Sequence, residues 1–149
     1  MYDFVDQPPS CLSNGGRFLL WAMRGWARAH AKGSCPAGAL SRGFAGVGAL
    51  TALPEIHLAL SLLGKDARDT LTFPPMGCPR IGEDEAVLMA LWRHAARGET
   101  SHLRATLALV AADAAVAPIA DAMAAAMAEL VAAGFDLSEL FPVAQKEMK

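Results

Sequence analysis

Three cysteines, Cys11, Cys35 and Cys78, and four histidines, His30, His57, His94 and His102, are the side chains of this sequence best suited to ligate a soft metal or attack an electrophile. Two of the thiols directly precede a proline, at Cys35-Pro36 and Cys78-Pro79. That dipeptide suits axial ligation of haem, because the proline turns the chain away and leaves the sulfur accessible. Thiolate and imidazole together suit zinc, but a zinc site is legible in sequence by close paired ligands, and none of these residues has that spacing. The sequence therefore predicts no metal site and no resident cofactor. A nucleophilic Cys78 would gain from the helix start just beyond it and from Arg80, but Glu83, Asp84 and Glu85 oppose a thiolate there. Its candidate base, His94, lies about three turns along the following helix, out of reach. No catalytic residue is assigned, and the reading leans away from an enzyme. The residues left as a ligand-binding set are Cys78 and Arg80 with Cys35; against them stands a structural role, with a small apolar thiol ordering a loop and a proline opening a helix.

The loop around Cys78 reads "PPMGCPRIGEDE" over residues 74–85, the one stretch with no helical pattern. With the helix that follows, "CPRIGEDEAVLMAL" at 78–91 resembles a family of short, uncharacterised helical proteins of alphaproteobacteria, in which a Cys-Pro-Arg loop leads into an acidic helix start and then an apolar helix. The resemblance implies a bacterial, cytoplasmic protein. It carries over no catalytic or binding residue.

A net charge of −2 gives no bulk attraction for nucleic acid or anionic membrane. Arg17, Arg24 and Arg28, interleaved with Trp21 and Trp26, form a thin basic face that is expected to pair with acids such as Asp66 or Asp69. A helix-turn-helix over residues 16–50 would lack base-reading side chains, and "GFAGVGAL" follows no strand and has no lysine after its glycines, so it is no phosphate loop. Nucleic acid is excluded as a partner. The 54% apolar content prompts a test for a membrane span, but its best window, Gly43 to Leu63, is interrupted by Pro54, Glu55 and His57. No membrane partner is expected. An odd number of scattered cysteines, with no basic and apolar leader in residues 1–16, points to a reducing cytoplasm.

The elements that must position these groups all carry helical spacing, and no run alternates as a strand does. The first helix is expected at Gly16 to Lys32, with Gly33 ending it and Cys35 or Ser34 capping the next before Pro36. Ala37 to Gly64 divides at Pro54, and glycines 38, 43, 46 and 48 imply close helix approach. A helix at Glu83 to Arg97 follows, its opening acids complementing the helix dipole. The last helix, about Thr100 to Ala133, places Leu109, Val116, Met123 and Leu130 at intervals of seven beside Ala112, Ile119 and Ala126, a seam for a core or a partner. Pro118 is expected to bend it, Asp113 to pair with an arginine or mark an edge, and "FDLSELFP" to fold back over the bundle. The expectation is a single all-α domain over 1–149, a bundle of four to five helices, with an irregular arm at 1–15 and a tail at 135–149. Its predicted role is a non-enzymatic interaction or regulatory module acting as a homodimer through that seam; the alternative is a small-ligand, metal or haem sensor at Cys78 and Cys35.

Overall fold

The protein is described by a computed structural model covering residues 4–135, 137 and 140. Among the described residues six α-helices form: α1 (Asn14–Ala31), α2 (Pro36–Gly46), α3 (Leu53–Asp66), α4 (Glu83–Ala96), α5 (Thr100–Val110) and α6 (Asp113–Ala132). The all-α class holds, with more helices than the expected four to five. Ser13 caps α1 by accepting from the Gly16 N–H at 3.2 Å. Pro54 lies in the first turn of α3, where its missing N–H costs nothing, and a short 3₁₀ turn, Leu50–Ala52, leads into it. Gly33, Gly48, Gly98 and Gly134 take positive φ just beyond helix ends.

The additional helix arises because the expected 100–133 helix is two. Ala111 and Ala112 are extended, and the chain resumes as α6 only at Asp113. Alanine is the strongest helix former, so a tertiary interaction must override it. Ala111 forms an isolated antiparallel bridge with Ala67, the Arg68 N–H donates to the Val110 carbonyl, and the Ala112 N–H donates to the Asp66 carbonyl, both at 2.9 Å. The end of α3 thus breaks the helix upstream of Pro118, which sits inside α6.

From that join α6 runs back along α3, and at its far end meets the Leu50–Ala52 turn. The two helices form the spine of the fold; α2 packs on α3, α4 and α5 pack on α6, and α1 packs against both α2 and α4. The break also dissolves the proposed seam: Met123 and Leu130 are wholly buried in the core, Val116 is half-buried, and Leu109 on α5 is 69% exposed. These four residues do not form one surface. Among the described residues α6, not the Gly43–Leu63 window, is the one helix long and apolar enough to cross a membrane by length and composition, and 44% of its apolar stretch is buried in the protein.

The arm at 1–15 is more ordered than expected from Phe4 onward. Phe4 and Leu12 are fully buried, and the arm pairs with the loop before α4, Asp6 N–H donating to the Ile81 carbonyl and Ile81 N–H to that of Gln7, each at 2.9 Å. At the other end Phe135 stacks on Phe18 at 5.2 Å, Leu137 and Leu140 are buried, and the Leu140 carbonyl accepts from the Ser13 N–H at 2.6 Å. Of the expected apolar turn, Phe135 and Leu140 thus meet the head of α1 and Leu137 is buried; the rest of the turn and of the tail lies outside the described residues.

Close approach explains only one of the four α2-region glycines. A Cβ at Gly43 would run into the Trp21 ring, whereas at Gly38 the nearest atom is 3.6 Å away. The same substitution in one helix therefore has opposite signs. Gly43→Ala is expected to destabilise by about 1–3 kcal/mol through overpacking, and Gly38→Ala to stabilise by up to about 1 kcal/mol through helix propensity, both read as shifts of the urea midpoint.

Candidate functional site

The centre of the candidate site is an arginine inside the protein. Arg24 lies on α1 one turn after Leu20, 3% exposed, and faces Glu85, which is fully buried in the first turn of α4. Its Nε donates to Glu85 Oε2 at 2.7 Å and its Nη2 to Glu85 Oε1 at 3.0 Å, a bidentate pair. The remaining donors meet three loop carbonyls: Nη2 donates to Arg80 at 2.8 Å, and Nη1 to Cys78 at 2.9 Å and Met76 at 3.3 Å. Five guanidinium N–H groups thus have five acceptors, the condition under which a buried cation is tolerated. Glu85 Oε1 also accepts from the Gly82 N–H at 3.0 Å, closing the start of α4. The hydrogen bond to Glu85 raises the Arg24 pKa above its ordinary value, against the opposing effect of burial.

This cation was expected on a solvated basic face; Arg17 and Arg28 are exposed, but Arg24 is not, and its partner is Glu85 rather than Asp66 or Asp69. The missed signal was Glu85 itself. It shares a helical face with Met89 and Trp92, and a carboxylate on an apolar face calls for a buried cation.

The loop residues proposed as ligands serve this clamp through their backbones. Cys78 is half-buried, its carbonyl held by Arg24, its N–H donating to the Pro75 carbonyl at 3.0 Å and its thiol to the Arg80 carbonyl at 3.4 Å. Arg80 likewise contributes its carbonyl. Cys35 caps α2, its Sγ accepting from the Gly38 N–H at 3.4 Å ahead of Pro36. Capping and loop anchoring account for both Cys-Pro dipeptides, and all three cysteines are unpaired.

The four histidines gather into two pairs. His30 stacks on Trp26 at 4.9 Å, while the Trp26 indole N–H donates to His57 Nδ1 at 2.9 Å, which fixes the His57 proton on Nε2. His94 and His102 stack 5.5 Å apart with rings 15° from parallel, and His94 bonds Glu99 at 2.9 Å. Stacked rings present faces to one another rather than converging lone pairs. Among the described residues no group of three or more His, Cys, Asp or Glu could hold a metal ion.

Beside the clamp lies a groove of about 840 Å³ between the second half of α1 and the segment from Ala67 to Met76. Trp26, Leu60, Leu71, Phe73 and Pro74 supply apolar surface, and Arg28, His30, Arg68 and Asp69 the polar groups. Its loop wall is held at three points. Arg24 takes the Met76 carbonyl; the Thr72 N–H donates to Asp84 Oδ2 at 2.6 Å; and Arg68 donates to the Ala108 carbonyl at 3.1 Å and to Asp113 at 2.9 Å. The last contact settles Asp113 as an arginine partner.

Truncating one partner of a buried pair leaves the other charge uncompensated, so Arg24→Met is expected to cost about 3–5 kcal/mol in urea unfolding, while Cys78→Ser, which keeps the backbone contacts, costs below about 1 kcal/mol. The corner between α4 and α5 gives a pH dependence. Glu99 is held below the ordinary carboxylate value, chiefly by its hydrogen bond with His94 and further by the nearby charges of His94, Arg97 and His102, with burial opposing. A lowered pKa in the folded state contributes stability above the ordinary carboxylate range that is lost as pH falls through the lowered value. His94→Ala is expected to reduce that small acid-limb dependence in urea midpoints; an unchanged acid limb contradicts the assignment.

No family model, no curated protein and no solved structure matches the chain.

Proposed function

We propose that this protein is a non-enzymatic binding module, of the interaction or regulatory class, that receives its ligand in the groove between α1 and residues 67–76. One observation carries the reading: the fully saturated Arg24 clamp holds one wall of a cleft whose volume, about 840 Å³, falls in the range of small-molecule sites. The cleft has apolar walls, a few polar groups and no paired acid and base. A sensor centred on Cys78 and Cys35 is less well supported, because both residues already have structural roles in the loop and the cap. Three unpaired thiols support a reducing cytoplasm as its compartment.

The homodimer belongs to the same proposal but moves from the 109–130 seam to the outer side of α6. An 18-residue stretch of that helix has a mean hydropathy of 1.6, yet Ala114, Ala124 and Ala128 are exposed and Val131 is 52% exposed, with the exposed Asp121 among them. A second copy over this side would remove it from water.

Two measurements test the reading. A fragment screen by ¹H–¹⁵N NMR is expected to produce shifts concentrated at the Trp26 indole N–H, Leu71 and Phe73; shifts centred on Cys35 and Cys78, or none at the groove, contradict it. Light scattering is expected to give twice the 15.6 kDa chain mass, reduced to one chain by Val131→Glu with an unchanged helical circular dichroism spectrum. A wild-type monomer removes the dimer and leaves the groove standing.

A further inference from the structure

Four full charges line the groove or its rim, and two of them are already answered. Arg24 is saturated by Glu85 and three carbonyls, and Arg68 is held by Asp113 and the Ala108 carbonyl. Arg28 and Asp69 remain. Both line the groove and are exposed, and neither side chain forms an ion pair or hydrogen bond with the other or with any other described residue. The same groove is lined by Leu60, Leu71, Phe73 and Trp26, with His30 stacked on the Trp26 ring.

The sign of these two groups restricts the occupant. A purely anionic ligand would answer Arg28 and be opposed by Asp69; a purely cationic one would meet the reverse. A neutral apolar ligand would cover the floor while withdrawing water from two unanswered charges, which is costly. A zwitterion with an apolar body satisfies all three surfaces. We propose, building on the groove reading above, that the site takes a short apolar peptide with free termini, Arg28 meeting its carboxylate and Asp69 its ammonium group. The roughly 300–1,000 Å³ span of small-molecule clefts accommodates a ligand of two or three residues.

The test is an NMR titration with the dipeptide Leu-Phe in four forms: free, N-acetylated, C-amidated, and blocked at both ends. Free Leu-Phe is expected to shift the Trp26 indole and the Leu71 and Phe73 amides, and each single block to weaken it about 3- to 10-fold, the loss of one charge-assisted contact at a partly exposed site. Arg28→Gln is expected to make the protein indifferent to C-amidation, and Asp69→Asn to N-acetylation, while Arg104→Gln on exposed α5 changes neither. Two outcomes overturn the proposal. One is equal binding of the doubly blocked form at the groove; the other is no groove shift with any form up to on the order of 10 mM. If uncharged fragments still shift the groove in either case, the binding-module reading survives; if they also fail, both fall together.

Discussion

A guanidinium inside a helical bundle must have all five of its N–H groups answered, and that requirement organises this protein. Arg24 comes from α1 and Glu85 from α4, so the pair ties two helices together across the core. The three remaining contacts go to the carbonyls of Met76, Cys78 and Arg80 on the loop before α4. A buried ion pair is weak evidence for net stability, since desolvation offsets most of the attraction. Its consequence here is specificity. The loop can adopt only the path that brings three carbonyls to one side chain, and an apolar replacement of the pair would leave those carbonyls without partners.

From that constraint the rest of the site follows. Fixing Met76 ends the groove wall, and fixing Arg80 sets Ile81, whose backbone pairs with Asp6 and Gln7 of the amino-terminal arm. The opposite end of the wall depends on another backbone requirement, the pairing of Ala67 with Ala111 that breaks an otherwise continuous alanine-rich helix. The groove is therefore a space left between elements located by polar contacts at both ends, while the spine of α3 and α6 supplies the apolar burial that stabilises the bundle.

Where the sequence was legible, the cause was local. Pro36, Pro54 and Gly98 mark helix boundaries through backbone restrictions that act within a turn. What it concealed was tertiary. Alanine at 111 and 112 is helix-forming by propensity and extended only because α3 ends beside it. Arg24 has the spacing of a surface arginine relative to Arg17 and Arg28, and only a partner 61 positions away accounts for its burial. Cys35 and Cys78 draw attention as thiols, yet one acts as a helix cap and the other chiefly through its carbonyl. The groove was illegible for the same reason, since its walls come from α1 and a patternless loop that no periodicity brings together.

The central claim is that one side chain fixes the loop and, through it, the groove wall and the arm. Native-state hydrogen exchange followed by mass spectrometry, comparing wild type with Arg24→Met under conditions where both remain folded, tests it most directly. The account predicts that amides at Cys78, Ile81, Gly82 and Asp6 lose protection together while those of α3 and α6 keep theirs. Uniform loss across all helices, or unchanged protection of residues 76–82, would contradict it.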